Sequence, residues 1–405
     1  LDRRVCPAVD SLAFVLSGND RPALRAQAER LREHMAAHPE LDLRDVAATL
    51  AVRRASLPRR AAALARDRAE LMTALDALAS GRGAHDLFEG RARREGKITF
   101  IFSGRGPRTA VDRELYRAFP AFAAALDDLC TAFEPHLKRP LKSMLFAPDG
   151  STEALLLADA RYGQVGLFAL ELALYRLIAS FGVVPDYLLG HAVGELVAAH
   201  VAGVLSLEDA CTLVAARGRL MSSLGDTPES VEIPAELEAI AADLTFSRPR
   251  IPVISNMSGE PLTDQEASTA AYWICTASQS MCFGDGASFL QKAGVTRLLE
   301  LGPDNAALEA MAAQFTGSAR GELLGCALRC PPGTSELLGF LTRAYVHGVA
   351  IDWRGLFPTE GHRQADLPTY AFQRERYWLA ASSEAMGTES PSSRADALPV
   401  GVGEG

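Results

Sequence analysis

Residues 187–195 read Tyr-Leu-Leu-Gly-His-Ala-Val-Gly-Glu, and their types and spacing come closest in this chain to a catalytic motif. The apolar residues predict a strand, and Gly190 and Gly194 bracket a tight turn before a predicted helix. This order is typical of a nucleophile elbow, G-x-S-x-G, in which a strained turn presents a serine and backbone N–H groups stabilise an oxyanion. The serine position holds Ala192, whose methyl group cannot attack an acyl carbon. The pattern therefore predicts a nucleophilic site without its nucleophile.

His191, beside the elbow, is the nearest candidate for a general base. A base acts by removing a proton from a nucleophile within hydrogen-bond reach, and this motif offers no such proton. We therefore expect His191 to pack or to form a hydrogen bond within the turn.

The composition excludes several classes of function. The chain has 405 residues, of which 48% are hydrophobic, and a net charge of −9. A negative charge argues against nucleic acid or an anionic membrane as the main partner. Seven cysteines without a C-x-x-C pair favour reduced thiols and a cytoplasmic location. We expect no cofactor, no metal and no membrane span, and the first residue, Leu1, suggests a piece of a longer polypeptide.

The first 96 residues predict a small α+β domain. Apolar runs predict strands at residues 12–16 and 60–65, and helical spacing of apolar residues predicts the helices at 22–37, 42–55 and 67–78. Residues 81–96, rich in glycine and charge, are predicted to be a polar loop that ends this domain.

The remainder alternates strands with helices, which predicts a parallel, doubly wound sheet. Strands are predicted at 97–102, 187–189, 251–255, 295–301 and 322–328, and helices at 111–133, 164–181, 207–224, 234–244, 289–293, 306–315 and 334–346. Residues 367–379 form an extended aromatic segment that we expect to lie across both domains. Residues 380–405, rich in Ser, Gly, Pro and Glu, are predicted to be a disordered tail.

Many short motifs occur in an order that identifies a family. They include Phe-Val-Leu-Ser-Gly at 14–18, Asp-Arg-Ala-Glu-Leu at 67–71, Ala-Leu-Glu-Leu-Ala-Leu at 169–174, the stretch 185–191, Ala-Ala-Arg-Gly-Arg-Leu-Met at 215–221, Ile-Pro-Val-Ile-Ser-Asn at 251–256 and Leu-Glu-Leu-Gly-Pro-Asp at 299–304. From residue 11 to residue 379 the chain resembles an acyltransferase domain of a modular type I polyketide synthase, with the linker that joins it to the preceding ketosynthase.

The resemblance implies a fold, a reaction and partners. The fold is a parallel-sheet, α/β-hydrolase-like core after a small α+β linker domain. In the family a serine takes an acyl group from an acyl-CoA, a histidine acts as base, and the group passes to the phosphopantetheine thiol of an acyl carrier protein. An arginine binds the malonyl-type carboxylate. The positions that match this site are Gln164, Gly190, His191, Ala192, Val193, Gly194, Arg217 and Asn256.

Arg217, which lies 25 residues after Ala192 (217 less 192), has two possible roles. It could persist as a structural ion pair or helix-surface residue, or it could form a residual anion site.

This sequence departs from the family at the positions that carry the chemistry. Besides Ala192, the oxyanion motif has Arg105 where the family has a glutamine between two glycines. The histidines are His34, His38, His85, His136, His191, His200, His347 and His362, so none lies between 201 and 346, where the family places its base. Only the 13 residues 222–234 stand where the family inserts a ferredoxin-like subdomain, and so few residues cannot form four strands. An engineered serine-to-alanine change would explain Ala192 alone but not this gap.

We therefore predict a linker domain at 1–96, a truncated acyltransferase core at 97–358, a post-acyltransferase linker at 359–379 and a tail at 380–405. The favoured function is a non-catalytic spacer or scaffold within a polyketide-synthesising module. The alternatives are a docking module for a carrier protein or a trans-acting acyltransferase, and an active malonyl transferase with a replacement nucleophile. The expected partners are the ketosynthase of the same polypeptide, an acyl carrier protein and, for the docking alternative, the trans-acting enzyme.

Overall fold

The computed structural model describes residues 9–93, 95–103, 111, 113–224, 235–275, 283–302, 305–317, 323–329, 333–358 and 362–373. Residues Leu1–Ala371 belong to one compact unit, and Phe372–Gly405 belong to a second. No helix of the described ranges is long and apolar enough to cross a membrane.

The N-terminal part contains a three-stranded antiparallel sheet with three helices. Its elements are β1 (Leu12–Gly18), α1 (Arg21–Ala37), α2 (Leu43–Arg53), β2 (Arg59–Ala65), α3 (Arg68–Ala79) and β3 (Leu87–Arg91), with β2 in the centre of the sheet. Each helix begins after an aspartate, Asp20, Asp42 or Asp67, whose side chain accepts a hydrogen bond from the first helical turn. The predicted α+β class of this region is confirmed.

The prediction of a loop throughout residues 81–96 is wrong, because β3 lies within it. This strand pairs with β2, with Glu89 opposite Ala61. It is an edge strand with no fully buried residue, and it carries charged side chains that are common on sheet edges. Its sequence therefore lacks the apolar run by which the other strands were recognised.

The second sheet has five strands, all parallel, as the sequence predicts. The strands are β4 (Lys97–Phe102), β5 (Tyr187–Gly190), β6 (Val253–Ile254), β7 (Val295–Gly302) and β8 (Leu324–Arg329), in the spatial order β6-β5-β4-β7-β8. The first strand in the chain, β4, is therefore central, and the strand order reverses beside it. Ligand sites of parallel α/β sheets form at the carboxyl ends of strands at such a point.

Helices surround this sheet. They are α4 (Arg113–Ala118), α5 (Pro120–Phe133), α6 (Leu141–Leu145), α7 (Thr152–Leu156), α8 (Ala160–Ser180), α9 (Val193–Ala202), α10 (Leu207–Leu224), α11 (Ala235–Ala242), α12 (Asp264–Ala267), α13 (Ala270–Cys275), α14 (Phe283–Lys292), α15 (Ala306–Gln314) and α16 (Thr334–Val346), with short 3₁₀ turns at Glu134–His136 and Trp353–Gly355.

Several predicted bounds need correction. The predicted helix 111–133 is two helices, because Phe119 precedes a proline and takes an extended conformation. The predicted strand 251–255 is reduced to Val253–Ile254, since the proline at 252 has no N–H to donate to a ladder. Helix α14 begins six residues before the predicted 289, at Phe283.

Helix α16 joins the two sheets. It packs against β8 on one side and against all three strands of the N-terminal sheet on the other. Arg60 of β2 donates to the Tyr345 carbonyl near its C-terminus (2.9 Å), and the buried Arg297 of β7 donates to the backbone carbonyls of Gly96 and Arg93 (2.6 and 2.5 Å). The N-terminal sheet and the acyltransferase-like core therefore share a helix.

The C-terminal extended segment, residues 362–371, lies on α1 and α2. Side chains of these helices bind its backbone: His34 Nε2 contacts Asp366 O (2.8 Å), Arg54 Nη2 donates to Leu367 O and Pro368 O (2.9 and 3.0 Å), and Thr49 Oγ1 accepts from Ala365 N (3.0 Å). The rest of the predicted post-acyltransferase linker, 359–361 and 374–379, and the predicted tail, 380–405, lie outside the described residues. The domain boundaries at 96, 358 and 379 stay predictions.

Candidate functional site

The turn between β5 and α9 has the strained backbone of a nucleophile elbow. Ala192 has φ 53° and ψ −120°, and the only other non-glycine residue of positive φ in the described part of the chain is Asp86. An L-residue rarely adopts this region unless the surrounding structure imposes it. The elbow lies at the carboxyl end of β5, beside the central strand β4. The predicted geometry is thus present at the predicted residue.

The two glycines are required by close contacts between backbones. A Cβ atom on Gly190 would lie 2.3 Å from the Gly194 carbonyl oxygen, and one on Gly194 would lie 2.2 Å from the Phe102 carbonyl oxygen. The His191 N–H donates to the same Phe102 carbonyl (2.9 Å). Only glycine at both positions allows β4, β5 and α9 to approach this closely.

His191 contacts the end of the neighbouring strand, β4, through its side chain and its backbone. Its Nδ1 lies 3.3 Å from the Ser103 carbonyl oxygen, at the end of β4. The predicted hydrogen bond therefore exists, but it leads to β4 and not to the turn itself. Val193, the next site residue after Ala192, is fully buried in the core.

Arg217 contacts the backbone of the elbow. The arginine lies on α10, is only 3% exposed, and donates from Nη1 to the Ala192 carbonyl oxygen (3.2 Å). Of the alternatives for Arg217, burial excludes a helix-surface residue, while the structural ion pair and the residual anion site stay untested. A guanidinium bound to this carbonyl holds the strained turn from the side of α10.

Gln164 and Asn256 lie on elements that adjoin the same region. Gln164 is one turn beyond Arg161 on α8, where the helix packs against Gly218 of α10: a Cβ on Gly218 would lie 3.0 Å from the Arg161 carbonyl oxygen. Asn256 follows β6 and is 7% exposed. The side-chain oxygens Gln164 Oε1 and Asn256 Oδ1 are buried, and neither has a hydrogen-bond partner among the described residues.

Glu195, Tyr272 and Ser255 form a hydrogen-bonded group at the first turn of α9 that the sequence did not predict. The fully buried Glu195, in the first turn of α9, accepts a hydrogen bond from the Tyr272 hydroxyl of α13 (2.7 Å), which also lies 3.0 Å from Ser255 Oγ. Burial, and then the Glu195 carboxylate, raise the pKa of the Tyr272 hydroxyl well above its ordinary value. The phenol therefore remains a donor. Glu195 belongs to the elbow motif, but its partner is 77 residues away and carries no local signal.

Ser103, whose carbonyl contacts His191 beside the elbow, is a serine to consider as a replacement nucleophile. Its Oγ donates to the Glu171 carboxylate of α8 (3.3 Å), at the carboxyl end of β4. The serine is 3% exposed, Glu171 is fully buried, and a Cβ on Gly302 would lie 2.0 Å from Ser103 Oγ. A hydroxyl packed in this way has no open side for an acyl thioester.

His200 is the next histidine after the elbow. It lies on α9, eight residues after Ala192 and therefore about 12 Å further along the helix axis. Its Nδ1 lies 3.1 Å from the Leu205 carbonyl oxygen, and burial lowers the pKa of its ring. It is too distant to act as a base at position 192.

Arg105, the predicted oxyanion-motif position, lies outside the described residues. The described residues contain no group of His, Cys, Asp and Glu that could hold a metal ion.

Ala192→Gly is expected to raise the free energy of unfolding by about 1 kcal/mol. Glycine adopts positive φ without strain, and this gain exceeds the entropy that glycine adds to the unfolded chain. Urea denaturation measures the change. Ala199→Gly, at a buried position within α9, is the control and is expected to lower the free energy by about 1 kcal/mol or more. Equal losses in both variants would contradict a strained turn at Ala192.

A glycine-bracketed elbow at the carboxyl edge of a parallel α/β sheet defines an acyltransferase- or hydrolase-type domain. Family models agree: residues 99–230 match the acyl transferase domain, and residues 15–82 match the RhiE-like, KS-MAT linker domain. The acyltransferase domain from the second module of the salinomycin polyketide synthase is 34% identical, with a TM-score of 0.67 and coverage of 89% of this chain and 99% of that one. The chain belongs to the acyltransferase domains of type I polyketide synthases, preceded by their linker.

Other proteins support this assignment. The spectinabilin polyketide synthase system proteins NorB and NorC of Streptomyces orinoci are 37% and 38% identical over 457 and 392 residues, which include 94% and 95% of this chain but 21% and 16% of those proteins. The chain thus spans about a fifth or less of these relatives. The acyltransferase domain of ZmaA is 22% identical with a TM-score of 0.79 over 90% of this chain and all of that one, and it supports the fold alone.

Proposed function

We propose that this domain is a non-catalytic acyltransferase that serves as a structural spacer within a polyketide synthase. One observation carries the proposal: the strained elbow is intact, but its central residue, Ala192, holds a methyl group where acyl transfer needs a nucleophilic oxygen or sulfur. Strain of this kind is usually retained because a reaction uses it. Here the turn remains while the reacting atom is gone.

Loss of the ferredoxin-like subdomain is part of the same proposal. Helix α10 ends at Leu224 and α11 begins at Ala235, so ten residues separate them; residues 225–234 lie outside the described ranges. The NorB alignment contains 457 residues, more than the 405 of this chain, so at least 52 residues of NorB (457 less 405) have no counterpart here. The acyl transferase match also ends at residue 230. These facts support a deletion at this point.

The NorC alignment favours the view that the short form is retained and not a chance defect. The alignment is 392 residues long and contains 95% of this chain, so only a few residues of NorC within it lack a counterpart here. NorC therefore includes a segment of nearly this length, which spans the position of the proposed deletion. A short form that occurs in two polyketide synthase proteins is consistent with a structural role.

The packing supports a spacer function. Helix α16 is shared by both sheets, and residues 362–371 bind back onto α1 and α2, so the N-terminal helices and this late segment are connected within one compact unit. Such a unit would hold a fixed distance between a ketosynthase that precedes the linker and a carrier protein that follows. The carrier protein would then receive its acyl group from another acyltransferase.

Intact-mass measurement after incubation with malonyl-CoA or methylmalonyl-CoA tests the proposal. An acyl-enzyme cannot form at Ala192, so the mass is expected to stay unchanged, while an intact acyltransferase domain treated in parallel gains one acyl group. A covalent adduct that maps to a serine or cysteine of the cleft would overturn the proposal and establish a replacement nucleophile.

A further inference from the structure

We propose that Tyr272 is a positioning residue for the elbow: acting through the buried Glu195, it imposes the strained conformation of Ala192. This role does not depend on the proposed loss of catalysis, because it concerns how the turn is held and not what the turn does.

The first step of the argument is that the α9 N-terminus is fixed at its backbone. The Gly194 N–H donates to the His191 carbonyl (2.9 Å), and the Glu195 N–H donates to the Ala192 carbonyl (3.3 Å). The Glu195 backbone also presses on Gly190, where a Cβ would lie 2.4 Å from the Glu195 nitrogen. Any movement of Glu195 along the helix axis therefore changes the dihedral angles at 191–194.

The second step is that side chains from two different helices, α10 and α13, contact this first turn. Arg217 of α10 binds the Ala192 carbonyl. The Glu195 carboxylate accepts the Tyr272 hydroxyl of α13, which is itself connected to Ser255 at the end of β6. The backbone N–H groups of Met257 and Ser258 lie 3.1 and 3.4 Å from Ser255 Oγ and anchor it.

The third step is the chemistry of the connection. A phenol has one proton, which Tyr272 gives to the carboxylate at 2.7 Å, so the Ser255 hydroxyl supplies the proton of the second contact. All three residues are buried, at 0%, 8% and 2% exposure for Glu195, Tyr272 and Ser255. A buried carboxylate depends strongly on its hydrogen-bond donors, so the Tyr272 hydroxyl helps to fix the position of Glu195.

A double-mutant cycle tests the inference. The unfolding equilibrium in urea is measured for the wild type, Ala192→Gly, Tyr272→Phe and the double variant. Ala192→Gly is expected to favour the folded state about fivefold in the wild type but less than twofold with Tyr272→Phe, because the turn relaxes once Glu195 is released. Exchange of the amide hydrogens of 193–195 is expected to accelerate at least tenfold in Tyr272→Phe.

Tyr345→Phe is the matched control. Tyr345 is also buried, at 4% exposure, and its hydroxyl forms a hydrogen bond with Ser56 Oγ (3.2 Å), three residues before β2. In the Tyr345→Phe variant, Ala192→Gly is expected to favour the folded state about fivefold, as it does in the wild type. If Tyr272→Phe does not fold, Ser255→Ala replaces it in the same cycle. An unchanged effect of Ala192→Gly in the Tyr272 or Ser255 variant would overturn the proposal.

Discussion

Ala192→Ser is expected to leave acyl transfer at background, although it restores the missing hydroxyl at a correctly formed elbow. In hydrolases with a serine–histidine unit, removal of either residue lowers turnover by about 10⁶, nearly as much as removal of both, because the two act together. The return of the serine alone therefore recovers almost nothing. A serine hydroxyl without a base keeps its proton at neutral pH and attacks poorly.

The structure supports this expectation at the two nearest histidines. The His191 Nδ1 contacts the Ser103 carbonyl, and His200 is bound to the Leu205 carbonyl about 12 Å along α9. Neither histidine lies between residues 201 and 346, where the resemblance to the family predicts the base. Proposed loss of the small subdomain would also admit water to the cleft, which weakens every electrostatic contribution there.

The measurement is a transfer assay with malonyl-CoA and a cognate carrier protein, run beside an intact acyltransferase. Ala192→Gly serves as the control, since it has the same elbow without a hydroxyl, and both variants are expected to give the same background. Transfer by Ala192→Ser within about tenfold of the intact enzyme, which is roughly 1.4 kcal/mol of barrier, would mean that this site has a base.

Phe340→Ala is expected to lower the free energy of unfolding by about 3–5 kcal/mol, the cost of removing a large aromatic side chain from a closed core. Phe340 is fully buried on α16, which is buried around most of its circumference between the two sheets. On the side of β8, the Cys326 thiol lies 3.8 Å from the Phe340 carbonyl. On the other side, a Cβ on Gly90 of β3 would lie 2.5 Å from the Val346 carbonyl oxygen.

Hydrogen exchange and urea denaturation together check this prediction. Because α16 belongs to both cores, amide protection is expected to fall in β2 and in β8 of the Phe340→Ala variant. Leu155→Ala, at a side chain that is 64% exposed on α7, is the control and is expected to change stability by less than about 0.5 kcal/mol. Loss of protection in one sheet only would indicate two independent domains.

The sequence alone determined the features that depend on local chemistry. Apolar runs predicted four of the five parallel strands nearly to the residue, and the helical spacing of apolar residues predicted the beginnings of α1 and α3 to within one residue. The elbow was recognised because its two glycines and its strand-to-helix order are local requirements of a tight turn, and Ala192 could be read directly as the missing nucleophile. These features need only the periodicity of side chains and the dihedral limits of glycine and proline.

Only the tertiary structure decided the features that join distant parts of the chain. The edge strand β3 forms because β2 offers it backbone hydrogen bonds, since none of its own residues is buried and two of the five, Glu89 and Arg91, are charged. Arg217 holds a carbonyl 25 residues away, and Tyr272 holds a carboxylate 77 residues away. The periodicity of a sequence indicates whether a side chain is buried or exposed, but it does not indicate its hydrogen-bond partner. A long polar side chain could reach several acceptors. The packing of the surrounding helices selects one of these acceptors, as it does for Arg217 at the Ala192 carbonyl.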